Sequence, residues 1–174
     1  MKKIKAKNTK QQKTPMDKRT KILLSALAGV ALLAVVILVL VESKGYITVR
    51  NESAIKLEYV EAYFVDMEGP ISDVMQFENH EKGDSSRLNL EKIDMAGREA
   101  NLEVRFKFEG HDELFVDAGY FNEEFGGKIS VSFSDIEDGK VLLKVKAKAG
   151  ILPSPYIQCN EEHVVNLLEE YVEE

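Results

Sequence analysis

Twenty consecutive residues, Ile22 to Val41, carry no charge, and Ser25 is their only conventional polar side chain. As a helix rising about 1.5 Å per residue, the run is about 30 Å long, the thickness of a bilayer's hydrocarbon core. Lys18, Arg19 and Lys21 precede it and Glu42 follows it. Residues 22–41 therefore predict a transmembrane signal-anchor helix whose partner is the lipid bilayer. A cleaved signal peptide is the rival reading. The basic leader suits it, and Val41-Glu42-Ser43 is a tolerable cleavage site. Signal h-regions, however, span only about 7–15 residues, so the length favours an uncut anchor. No cysteine lies near the end of the run, which excludes a lipoprotein anchor. Ser25 and Gly29 form one small-xxx-small pair, a minor signal for helix association.

Charge divides sharply across this segment. Residues 1–21 hold nine Lys/Arg and one Asp, hence +8; residues 42–174 hold 14 Lys/Arg and 29 Asp/Glu, hence −15. Basic residues beside a span remain cytoplasmic, so the expected topology is single-pass, N-terminus inside and C-terminal domain extracellular, in the cell membrane. The leader, residues 1–21, is Lys, Gln, Thr and Asn with little to bury, and is predicted to be a disordered basic cytoplasmic tail. Topology and attraction to lipid heads account for its lysines, so nucleic acid is not an expected partner. A linker of residues 42–45 reaches about 14 Å at most. The external domain is thus expected close to the headgroups, with a membrane-proximal protein partner.

From Tyr46 the apolar period becomes two. Ile47 and Val49 alternate with polar residues, and Asn51-Glu52-Ser53 reads as turn chemistry rather than a glycan site. In Ile55–Val65 the apolar phase slips near Glu58-Tyr59, as at a β-bulge. Asn101–Phe108 alternates cleanly, Leu114–Tyr120 and Lys128–Phe133 follow, and Asp138-Gly139 signals a hairpin into Val141–Ala147. Lys144, Lys146 and Lys148 share one face of that return strand. Seven or eight such strands over residues 46–149 predict a mainly β fold, an antiparallel β-sandwich, immunoglobulin-like or similar. In residues 150–174 the prolines predict an extended segment. Val164, Leu167, Leu168 and Tyr171, behind Asn160-Glu161-Glu162, then predict a short amphipathic C-terminal helix.

The chain is poor in chemistry-bearing patterns. Cys159 is alone, and His80, His111 and His163 are scattered without metal-ligand spacing. Asp135-Ile-Glu-Asp-Gly139 misses the calcium-loop pattern, with glycine at the fifth position and no closing Glu. No nucleophile elbow, phosphate loop or dinucleotide fingerprint occurs, so no enzyme activity, metal or cofactor is expected. The informative remainder is the loop Gly119–Gly127, whose Phe121 and Phe125 lack any strand period. They are either partner-binding anchors on a rigid scaffold or caps on the open end of the core, with Phe125 the better contact candidate.

A disulfide-free exported domain behind a Lys-rich leader is similar in layout to small β-sandwich modules that Gram-positive bacteria display on signal anchors. The functional expectation is a non-enzymatic binding or accessory module of the cell envelope. Alternatives are an immunity or inhibitor protein against a basic toxin or enzyme outside the membrane, and a hydrolase with an unrecognised site.

Overall fold

The computed structural model describes residues 17–42, 45–95, 97–137, 139–150 and 153–168. Most of the leader expected to be disordered, residues 1–16, and the last six residues lie outside these. The chain divides into two compact units, Met1–Val39 and Leu40–Glu174.

The first unit is dominated by α1 (Lys18–Glu42). Ile22, Leu27, Val30 and Leu32 are all more than half exposed, at 61–68%. The helix is apolar on every side and, among the described residues of its unit, packs against nothing, a pattern shared by buried helices and membrane spans. It is long and apolar enough to cross a membrane.

In the second unit the described residues form eleven strands in two sheets. In chain order these are β1 (Gly45–Asn51), β2 (Leu57–Asp66), β3 (Gly69–Pro70), β4 (Met75–His80) and β5 (Ser85–Leu90), then β6 (Ala100–Phe108), β7 (Glu113–Phe121), β8 (Lys128–Glu137), β9 (Lys140–Lys148), β10 (Ile157–Gln158) and β11 (Asn160–Asn166). One sheet runs β11-β9-β8-β1-β5. The other runs β10-β7-β6-β2-β3, with β4 also on β2. Neighbours pair antiparallel except β1 and β8, which are parallel. The architecture is mainly β and sandwich-like; an immunoglobulin topology is not singled out.

Period-two alternation builds the core. Ile47 and Val49 of β1, Val60, Ala62 and Phe64 of β2, Leu102, Val104, Phe106 and Phe108 of β6, and Ile129, Val131 and Phe133 of β8 point inward and are buried. The phase slip in β2 is a real irregularity, since its pairing with β6 shifts between Leu57 and Tyr59. That shift lets Leu57 and Val60 both face the core although they lie in opposite phases. At one end of β8 there is no room for a side chain. A Cβ on Gly127 would lie 2.0 Å from the Lys148 carbonyl oxygen.

The predicted C-terminal helix is absent where the residues are described. Residues 160–166 instead form β11, paired with β9 from Asn160↔Lys146 to Asn166↔Lys140. An isolated helix this short is marginal in water, whereas the free edge of β9 offers a row of unpaired backbone groups. The Lys144–Glu162 ion pair at 2.9 Å adds to that register. Tyr171, part of the expected helix, lies outside the described residues.

Two buried polar groups brace the turn after β1. Asn51 is fully buried, and all four of its side-chain hydrogen-bonding positions are filled. Its amide donates to the carbonyls of Ile55 and His80, each at 2.9 Å. Its oxygen accepts from the Ser53 amide at 3.0 Å and the Ser53 hydroxyl at 2.7 Å. With both amide hydrogens committed, the Asn51-Glu52-Ser53 triplet acts as turn chemistry in this fold. His80 is the opposite case. It is 2% exposed, its ring lies beside Phe77, and neither ring nitrogen has a hydrogen-bond partner among the described residues. A neutral imidazole always carries one N–H, so a donor is left unsatisfied in the core. His80→Phe should therefore be neutral or stabilising by about 1 kcal/mol in urea denaturation. A loss above about 2 kcal/mol would show that the ring has an essential partner.

Candidate partner-binding face

Both loop aromatics face inward. Phe121 and Phe125 are 0% exposed and meet each other and Phe64, with ring centroids 5.1 Å apart for the pair and 4.9 and 5.7 Å from Phe64. The loop is drawn in by a two-way backbone bridge between Ile93 and Phe125, at 2.7 and 2.9 Å. Neither side chain is presented to a partner, so the capping alternative describes both, and the contact role expected for Phe125 gives way. The other chemistry-bearing residues are dispersed. His111 meets the Leu167 carbonyl at 3.0 Å, and His163 meets Glu161 at 3.1 Å. Among the described residues no group of three or more His, Cys, Asp or Glu could hold a metal ion.

Cys159 is buried, and its thiol is pushed up to about 12, by burial first and then by the Glu161 charge. The thiolate is the reactive form, so Cys159 should resist maleimide in the native protein and react at once in denaturant. Fast native labelling would contradict this placement.

What sequence reasoning passed over is the outer face of the β4-β2-β6-β7 surface. Tyr59, Glu61 and Tyr63 of β2 point outward there beside Glu103, Arg105 and Lys107 of β6 and Glu113, Phe115 and Asp117 of β7. Arg105 is the hub. Its Nε donates to the Tyr63 hydroxyl at 2.7 Å and to Glu103 at 2.6 Å, and a terminal nitrogen donates to Glu113 at 3.1 Å. The Tyr59 hydroxyl donates to Glu113 and the Tyr63 hydroxyl to Glu103. The guanidinium also lies 5.0 Å over the Phe115 ring. Lys107 pairs with Glu58 at 3.1 Å.

These contacts bias protonation consistently. Hydrogen bonds from Tyr59 and then Arg105 hold the Glu113 carboxyl below its usual range. Burial, and then Glu113, push the Tyr59 phenol up to about 12 from 10.0. A group whose folded value is raised contributes stability that is complete below its unfolded value and lost as pH rises through the folded one. For Tyr59 the window is about 10 to 12. Alkaline titration of tyrosinate absorbance should therefore show a late step that loses amplitude in Tyr59→Phe, Tyr63 and Tyr120 also being shifted up. A wild-type curve complete in the ordinary tyrosine range would contradict it. Asp117 moves the other way from Glu113: burial, then the Glu103 charge, raise it.

Counting Glu78 of β4, the face sets six carboxylates, Glu58, Glu61, Glu78, Glu103, Glu113 and Asp117, against Arg105 and Lys107. At its edge a groove of about 630 Å³ opens between β7 and β11, lined by Arg105, Glu113, Phe115, His163 and Val164 among others. Phe115 and Val164 are 53% and 63% exposed. The result is an acidic, aromatic-bearing surface held rigid by a strand-to-strand network.

The chain matches no family model and no curated protein. Among solved structures, the "NMR structure of the protein from Eubacterium rectale" is similar to it over 64% of this chain and 94% of that one, at 12% identity and a TM-score of 0.41. No functional statement rests on a likeness of that size.

Proposed function

We propose that the chain is a single-pass, membrane-anchored binding or accessory module of a bacterial cell envelope, most in keeping with a Gram-positive one, and that it performs no catalysis. Its domain lies on the far side of the membrane from the basic leader. Its contact surface is the acidic outer face centred on Arg105 and Phe115. The observation that carries this reading is the network itself. Arg105 is held by Tyr63, Glu103 and Glu113 while Phe115 stays 53% exposed beside an apolar-edged groove. A pre-ordered aromatic next to fixed charge is what a binding hot spot requires, because little entropy remains to be lost on contact. Six carboxylates against two cations select a cationic partner and speed its arrival. The face is open rather than enclosed, which suits a protein surface better than a small substrate that must be shielded from water.

An immunity or inhibitor protein uses the same face and differs only in its partner, a basic toxin or enzyme that loses activity on binding. A photo-crosslinking residue at Asp117 in intact cells tests the reading. The expected result is one discrete protein adduct, lost in Glu61→Lys/Glu113→Lys and absent from a probe at Ser130 on the opposite sheet. Equal adducts from both positions, or none from Asp117, would count against it.

A further inference from the structure

The opposite outer face carries the reverse charge. The residues of the β5-β1-β8-β9-β11 sheet that point away from the core fall into cross-strand rows. One row is Asn89, Tyr46, Lys128 and Lys148; the next is Arg87, Thr48, Ser130, Lys146 and Asn160; the third is Ser85, Arg50, Ser132, Lys144 and Glu162. Six cations thus share the face with hydroxyls, and two of them are ion-paired, Lys144 with Glu162 at 2.9 Å and Arg50 with Glu52 at 3.0 Å. Six of the 14 basic residues in 42–174 gather here, although that segment nets −15. Arg50, Arg87, Lys146 and Lys148 are exposed, and the Arg87 guanidinium lies 3.4 Å over the Tyr46 ring. Along β9 the lysines recur every second residue, about 7 Å apart.

We infer that this flat basic face docks on the anionic phospholipid surface of the membrane that α1 crosses. Charge complementarity is the first argument. An acidic domain beside an anionic surface meets least repulsion when it turns these basic rows toward the phosphates. Tether length is the second. Only two residues separate Glu42 of α1 from Gly45 of β1, so the headgroups are a partner at permanently high effective concentration. The row nearest Gly45 holds Tyr46, Lys128 and Lys148, the aromatic and lysine types favoured at the membrane interface. Basic residues within reach of an anionic surface are each attracted, and salt screens that attraction. Docking in this way leaves the acidic Arg105–Phe115 face pointing away from the lipid. The inference rests on the anchor reading given above.

The test uses the full chain, one copy per nanodisc, with a fluorophore on Ser130→Cys or on Glu61→Cys of the other sheet; buried Cys159 stays unlabelled. Headgroup spin labels quench a probe that approaches the lipid. Strong quenching at Ser130 in discs containing phosphatidylglycerol is expected, weak in phosphatidylcholine alone, relieved by salt and weak at Glu61 in both. Lys144→Glu/Lys146→Glu/Lys148→Glu should lower the docked-to-free ratio more than about tenfold. Four outcomes overturn the inference. These are equal quenching in both lipids, quenching indifferent to charge reversal, quenching only with two copies per disc (a second chain occupies the face), and quenching only after deletion of residues 169–174 (the chain's own acidic end occupies it). Failure of the protein to enter discs at all would instead sink the anchor reading.

Discussion

Truncating Phe121 or Phe125 to alanine is expected to cost about 3–5 kcal/mol of folding free energy in each case. Both rings are fully buried, and both contact Phe64, Phe121 edge-on at an interplanar angle of 89°. Removing either leaves a cavity at the end of the sandwich that β-strand backbones cannot collapse to fill. A domain whose whole stability is about 5–15 kcal/mol would melt far earlier or not fold. Because the rings also touch each other, the double mutant should cost less than the sum. Phe→Leu at each site, which keeps most of the volume, is the control that should stay folded. Urea denaturation of the five variants measures this directly. A loss below about 0.5 kcal/mol at Phe125 would mean that its ring is a surface group after all.

The second large effect is expected at Asn51. Asn51→Asp replaces an amide that donates to two carbonyls, those of Ile55 and His80, by an oxygen facing them. Both carbonyls lose the amide donor, and a carboxylate is buried against them. The expected loss is about 3–5 kcal/mol, larger near neutrality than in acid, where the protonated group regains one donor. Asn51→Leu removes the repulsion but strands the Ser53 amide and the His80 carbonyl, while the Ser53 hydroxyl keeps the Ile55 carbonyl at 2.9 Å, and should cost at least about 2 kcal/mol. Ser53→Ala, which leaves the two carbonyls satisfied, should cost only about 1 kcal/mol. Equal losses at positions 51 and 53 would show that the network is not centred on the asparagine.

The fold was legible where one face of a strand is buried and the other is wet. β6 and β9 alternate without interruption, and even the slip in β2 was readable as a bulge because Leu57 and Val60 lie in opposite phases. Legibility failed where burial does not alternate. Five of the six residues of β5 are exposed, so only Leu88 and Leu90 suggest a strand there, and β4, with its irregular burial, shows no clean period. The C-terminal segment misled differently. Val164, Leu167 and Leu168 have helical spacing, but Leu167 is buried through its strand-end position while Val164 and Leu168 are exposed. Only pairing with β9, a long-range contact, decides the matter. Phe125 was misjudged because its bridge to Ile93 joins residues far apart in sequence. The acidic face was present as a signal, since Tyr59 and Tyr63 share the outward phase of β2.

The proposed topology sets the β domain on the opposite side of a membrane from the basic leader. Because Cys159 is buried, single surface cysteines report it cleanly. Gln76→Cys, exposed on the acidic face, and Lys7→Cys, within the leader, would each be exposed to a membrane-impermeant thiol reagent on intact cells and again after lysis. Full labelling of position 76 on intact cells is expected, and labelling of position 7 only after lysis. The reverse pattern would overturn the orientation, and labelling of neither until lysis would contradict display of the domain outside the membrane.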